Sequence, residues 1–260
     1  MRFFAFGCSF TNYNIWPTWA DIIATDLDDI EYYNYGVQGL GNQGIQARIV
    51  EADMRHKLTS DDIIIILWST WSREDRFLNN HWSTAGSIFN NHFFDDMFIN
   101  KYWSWENDII KNSTAIHMTT RAYKDVITYQ GTMTTFPTIN NNTDLNLNKL
   151  VNKIFGIDDD HITKFYKDKL VMPPCWNQGV NSQFSGTSYD NHPDVKHHLS
   201  YVQNTLYPVL GYKLKDSTVK MFTDLQDELT RVFKLSDDGE MLAKKSAPIL
   251  LKYNIKKSSI

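Results

Sequence analysis

Cysteine is scarce in this chain: Cys8 and Cys175 are the only two in 260 residues. They share no metal-ligand spacing and cannot build a disulfide framework, so reduced thiols in a cytosol-like compartment are expected. Long apolar runs are missing as well. No stretch approaches the roughly 18 residues of a membrane-spanning helix. "MRFFAFG" at the start lacks the charged and apolar regions of a signal peptide and reads as a strand that begins at once. The expectation is a cytoplasmic protein with no membrane partner, reaching a virion or the exterior only through lysis or a dedicated export route. Clustered positive charge is absent too. Lys and Arg number 26 against 30 Asp and Glu, for a net charge of −4. Nucleic acid is therefore not the expected partner, because phosphate binding needs grouped cations. The nearest basic patch, "KYNIKKSS" (252–259), reads as a solvated tail. His56, His81, His92, His117 and His161 are scattered without ligand spacing, so no metal and no cofactor are expected.

Apolar residues, by contrast, are plentiful. Hydrophobic residues make up 42% and charged residues 22%, enough for one well-filled core in a single domain spanning 1–260. Aromatic residues reach 14%, with eight Trp and thirteen Tyr, which exceeds what a core requires. Many fall in residues 82–105, "WSTAGSIFNNHFFDDMFINKYWSW". That stretch is either a satellite cluster covering one end of a sheet or a ring-lined cleft suited to sugars and flat apolar ligands.

Strands and helices alternate along the first half. Residues 2–6 form an apolar run that ends at Gly7. "TWADIIATDL" (18–27) has helical spacing, "EYYNYG" (31–36) reads as a strand, and "GNQGIQARIVEADMRHKL" (41–58) reads as a helix. "DDIIIILWST" (61–70) is the clearest buried strand, apolar on both faces, and this pattern implies a parallel sheet covered on each side. Farther along, a helix is expected over 105–127. A fourth strand is expected over 132–138 and a fifth over 168–174. A loop is expected over 177–191 and a helix from Pro193 to about residue 206. An amphipathic helix over 216–235, with Val219, Phe222, Leu225, Leu229 and Phe233 on one face, would pack either on the core or on a second copy.

In open parallel sheets, ligands bind beyond the carboxyl ends of the strands. Gly7-Cys8-Ser9, the glycines after Asn34, and Trp68-Ser69-Thr70 all sit at such ends. "YDNHPDVKHH" (189–198) adds an Asp and a His before a helix. A nucleophilic serine needs a base, and the base needs an orienting acid; Ser9, His192 and Asp190 would fill those roles.

These residues resemble the SGNH hydrolases of the GDSL esterase/lipase superfamily. "FGCSFT" resembles the first block, with its serine after strand one. "NYGVQG" (34–39) resembles the N-x-G-x-x-G block, and "DNHP" (190–193) the last block. The wording is also similar to that of uncharacterised SGNH-like proteins of tailed phages. The resemblance covers residues 1–75 and 186–205. It implies an α/β, three-layer α/β/α flavodoxin-like fold with about five parallel strands, a cap insertion over 76–185 and a C-terminal helical extension over 211–260. It also implies a serine esterase with Ser9 as nucleophile, His192 as base and Asp190 as orienting acid. The favoured substrate is an O-acetyl group on a carbohydrate. An acyltransferase with the same triad, or a silent glycan-binding scaffold, are the alternatives. The N–H groups of Ser9 and Gly39 would form the oxyanion hole. The family's third block, G-x-N-D, reads "LWSTWSRED" here, so the third donor is open among Thr70, Asn42 and Arg73. Spacing is a second departure, since Asp190 and His192 form D-x-H, whereas "DVKH" (194–197) is D-x-x-H. That makes His197, or its neighbour His198, the rival base, while Asp194 itself suits a helix N-terminus.

Overall fold

The run IIIILW forms strand β3 (Ile63–Trp68), buried along its whole length at the middle of a parallel sheet. The structure, a computed structural model, describes residues 1–78, 80–89, 94–133, 192–234 and 236–260. β1 (Arg2–Phe6) lies beside β3, β2 (Glu31–Asn34) lies outside β1, and the sheet order is β2-β1-β3-β6, with β6 at Tyr129–Thr132. All three pairings are parallel. The described sheet thus has four strands where about five were expected; the segment 168–174 lies outside the described residues. β6 comes three residues earlier than the fourth strand read from sequence. Tyr129 pairs with Ile65, and Thr128 Oγ1 accepts from the Ile64 N–H at 3.0 Å, which sets the entry.

Successive side chains of a strand face opposite ways, and β1 shows what covers each face. The Phe3 ring meets Trp19 of α1 (Trp19–Asp26), at 6.3 Å between centroids. The Phe4 ring meets His56 of α2 (Asn42–His56), at 5.3 Å. The two helices therefore cover opposite faces. The aromatic surplus is largely internal: Phe3 stacks on Tyr32, Phe4 on Tyr33 and Phe6 on Tyr35, at centroid distances of 5.4, 4.7 and 5.4 Å. Cross-strand ring pairs of this kind are each worth about 0.5–1.5 kcal/mol beyond burial.

After β3 the chain makes an antiparallel hairpin, β4 (Arg73–Leu78) and β5 (His81–Ser87), which the sequence reading missed. α3 (Asp96–Tyr102) and α4 (Trp105–Ala122) follow. α4 packs on α2, and β6 completes the sheet. These parts of the interval 76–185 therefore belong to the layered core: among the described residues, α4 covers and β6 extends its β3 side, and Trp82 of the hairpin packs against it.

α5 (Val195–Tyr201) runs through a π-helical turn at Val202–Leu206 into α6 (Tyr207–Leu210), and α7 (Asp216–Val232) and α8 (Gly239–Leu250) follow. α5 and α7 pack on α1, with Phe222, Leu225 and Leu229 of α7 fully buried. The apolar face of α7 thus lies on the core. The basic tail is not simply solvated, as the sequence reading had it. Asn34 N–H donates to Ser258 Oγ and Ser259 N–H donates to Tyr32 C=O, both at 2.8 Å, so the tail lies along the outer edge of β2. No helix among the described residues is long and apolar enough to cross a membrane.

Candidate active site

Strand β1 delivers Ser9 into a single helical turn. The Cys8 carbonyl accepts from the N–H groups of Thr11 (2.9 Å) and Asn12 (3.1 Å), which closes residues 8–12. Glycine is required just before it: a Cβ on Gly7 would stand 2.1 Å from Thr11 Oγ1 and 3.0 Å from the Leu67 carbonyl. Ser9 is 5% exposed. Neither its hydroxyl nor its N–H makes a hydrogen bond to a described residue. A small serine at the start of a turn, beyond the end of a central strand, is placed to receive a ligand atom.

Three hydrogen bonds strap the loop after β2 onto this turn. Val37 N–H donates to Gly7 C=O at 3.1 Å, Asn12 Nδ2 to Gly36 C=O at 2.9 Å, and Asn34 Nδ2 to Thr11 C=O at 2.9 Å. Asn34 Oδ1 also accepts from Gly36 N–H at 3.0 Å. The loop then turns at Val37–Leu40, closed by Leu40 N–H to Val37 C=O at 3.1 Å, with Gly39 at φ +76°. A residue in that left-handed conformation is best glycine, as a turn of this kind demands. The asparagine and glycines of N-x-G-x-x-G thus have separate structural reasons: Asn34 ties two loops, and Gly39 makes the turn.

The end of β3 is fixed by Asn42, the first residue of α2. Asn42 Oδ1 accepts from Ser69 N–H at 2.7 Å, and its Nδ2 donates to Ser69 C=O at 3.2 Å and to Asn112 Oδ1 at 2.7 Å. Both amide hydrogens are engaged, so Asn42 acts here as a tether between α2, β3 and α4 and has no donor left for an oxyanion. Arg73 is also occupied, donating to Leu40 C=O at 2.9 Å. Thr70, half-buried just beyond Ser69, remains the side chain of the three that no such bond holds. Asp75 caps α2 by accepting from Gly41 N–H (2.7 Å) and Gly44 N–H (2.8 Å); burial pushes its carboxyl up from the ordinary value. The strand ends converge on Met133, whose sulfur lies 3.4 Å from Cys8 Sγ and 3.5 Å from Ser69 Oγ.

His192 sits against the turn that carries Ser9. Its ring stacks on Tyr13 at 4.2 Å and tilts against Phe10, the residue after Ser9, at 5.3 Å. The next residue is pinned to the same loop, since Trp16 Nε1 donates to Pro193 C=O at 2.9 Å. The structure thus brings His192 to the segment that carries Ser9. Asp190 lies outside the described residues. A formed carboxylate–imidazole pair exists one turn farther on, where Asp194, fully buried at the N-cap of α5, accepts from His197 N–H at 2.9 Å. The same Oδ1 lies 2.7 Å from His197 Nδ1. Capping alone explains the first contact. The second orients the imidazole in the way a catalytic acid would. His198, 1% exposed, is held neutral: burial, with the neighbouring His192 and His197 charges, brings its pKa down to about 3 against the opposing pull of Asp194. It is a core residue.

No protein-family model matches this chain, and neither does any curated protein. Among solved structures, the chain is similar to a member of the lipolytic protein G-D-S-L family from Veillonella parvula DSM 2008. The identity is 14% and the TM-score 0.35, over 66% of this chain and 77% of that one.

Proposed function

We propose that the chain is a serine esterase in which Ser9 attacks a carboxylic ester, with an O-acetyl group on a carbohydrate as the favoured substrate. The observation that carries this is the contact between His192 and Phe10, which sets an imidazole beside the turn holding an unbonded serine. In this reading His192 takes the Ser9 proton and returns it to the leaving alcohol, and water then releases the acyl group by the reverse path. Asp190 would orient His192. The N–H groups of Ser9 and Gly39 would receive the oxyanion, each worth a few kcal/mol, with Thr70 as third donor. Acyl transfer to a sugar alcohol uses the same groups and differs only in the acceptor.

A second assignment of the base has its own support: the 2.7 Å contact of Asp194 and His197 is an acid–imidazole pair already formed. A catalytically silent scaffold draws on the altered third block, since two of the three candidate third donors, Asn42 and Arg73, are committed to structural bonds.

The test is intact-mass spectrometry after incubation with a fluorophosphonate. One adduct on the wild type, absent from Ser9→Ala, is the expected result. A folded wild type that takes up no adduct would leave the silent scaffold.

A further inference from the structure

The ring-rich stretch left unexplained by the core lines a separate hollow of about 340 Å³ between the β4–β5 hairpin, α3 and the start of α4. Its walls carry Glu74 and Arg76 from β4, Tyr102 and Trp103 from the end of α3, and Asp108 and Lys111 from α4. We infer that this hollow is a binding subsite for a neutral, hydroxyl-rich ring, one sugar unit of a glycan. The inference rests on the carbohydrate part of the function proposed above and says where the sugar beside the ester would sit.

Asp108 is the central observation. It is 3% exposed yet borders the hollow. Its Oδ2 accepts from Trp103 Nε1 at 2.8 Å, and its Oδ1 has no donor among the described residues. That oxygen keeps access to the hollow, where a hydroxyl group of a ligand would donate to it in place of solvent. Burial holds this carboxyl up at about 6, with Glu74 adding to the rise and Trp103 and Lys111 opposing it. It is therefore mostly ionised, and a strong acceptor, at neutral pH.

Charge balance argues for an uncharged ligand. Lys111 Nζ is 2.7 Å from Glu74 Oε2, and Arg76 lies 3.7 Å from the other Glu74 oxygen, with its guanidinium 5.1 Å from the Phe98 ring. Two cations face two carboxylates, so the hollow offers an anion no net attraction, while its pinned donors and acceptors suit vicinal hydroxyls. Aromatic surface completes the case, since Tyr102 is 60% exposed at the rim, where an apolar ring face can pack. The helix that carries Asp108 is also tied to the end of β3. Asn112, one helical turn beyond Asp108, donates to Trp71 C=O at 3.0 Å and receives the Asn42 amide that fixes the end of β3.

Saturation-transfer NMR on the full chain tests this, using the methyl glycosides of glucose, galactose and N-acetylglucosamine, with inorganic phosphate as charge control. At least one glycoside is expected to show transfer that falls at least fivefold in Tyr102→Ala and in Asp108→Asn, with no competition from phosphate. Tyr102 is exposed, so its variant keeps the test valid should Asp108→Asn fold poorly. Absence of transfer from all three glycosides, transfer unchanged in Tyr102→Ala, or displacement by phosphate overturns the inference. Fluorophosphonate labelling of the same proteins separates the two readings. Sugar binding without labelling sinks the Ser9 chemistry and upholds the subsite; labelling without sugar binding does the reverse.

Discussion

The N–H of Val37 donates to the carbonyl of Gly7 at 3.1 Å, and this single bond sets the turn of Gly39 against the turn of Ser9. Two loops from neighbouring strand ends thereby act as one rigid piece, which is what a preorganised pair of backbone donors requires. The Asn12 and Asn34 side chains reinforce it from either side.

Gly39→Ala places a Cβ on a residue at φ +76°. A loss of about 1 kcal/mol in stability is expected from the left-handed conformation. Fluorophosphonate labelling should slow at least tenfold if the Gly39 N–H serves the oxyanion. Equal labelling rates in the two proteins would remove Gly39 from the site.

Histidine replacement separates the two candidate bases. His192→Ala should abolish labelling of Ser9, whereas His197→Ala should slow it no more than about threefold and lower the melting temperature slightly through the loss of the contact to Asp194. The opposite ranking would transfer the base to His197, with Asp194 as its orienting acid.

Asn42→Ala removes an amide that bonds Ser69 twice and Asn112 once. The orphaned Ser69 N–H and the vacated space should together cost about 2–4 kcal/mol, readable from urea unfolding. A change below about 0.5 kcal/mol would mean that the end of β3 is held by something other than this tether.

Acid stability carries the signature of His198. In the unfolded chain this imidazole takes a proton near its ordinary value of 6.5, while in the fold it refuses one until about 3. The unfolded state binds more protons between those limits, so this group's contribution is present above 6.5 and is lost as the pH falls below it, by up to about 1.4 kcal/mol per pH unit. Asp108 acts with the opposite sign between its ordinary 3.8 and about 6, since there the folded state holds the extra proton. Comparing wild type with His198→Gln cancels that second contribution. Unfolding free energies from pH 7.5 to 4.5 should show a shallower fall in the variant, and parallel curves would refute the assignment.

The sheet was readable in the sequence because its strands are buried on both faces. Ile63–Trp68 and Arg2–Phe6 have no polar alternation to confuse with anything else, and glycines mark where the chain must turn close to its neighbours. Ser9 and Gly39 could be placed at strand ends for the same reason. The hairpin after Trp71 was not legible, since "REDRFL" opens with four charged residues and shows no apolar alternation, and its partner strand is reached only through the antiparallel register. The structural roles of Asn42 and Arg73 were hidden too. Each depends on partners 27 to 70 residues away, Ser69 and Asn112 for one and Leu40 for the other, and spacing along a chain does not record such pairs. The aromatic surplus misled in part. Phe3, Phe4, Phe6, Tyr32, Tyr33 and Tyr35 stack between neighbouring segments of the sheet, while later rings such as Tyr102 and Trp103 border a hollow.

The residues Ser258 and Ser259, lying along β2, have a practical side. An outer strand with bare amides and carbonyls is a template on which a second molecule can pair, and here that template is occupied by Ser258 and Ser259 of the same chain. Ser259→Pro removes the N–H that donates to Tyr32 and would loosen this cover, so its preparations should cloud sooner on concentration than the wild type.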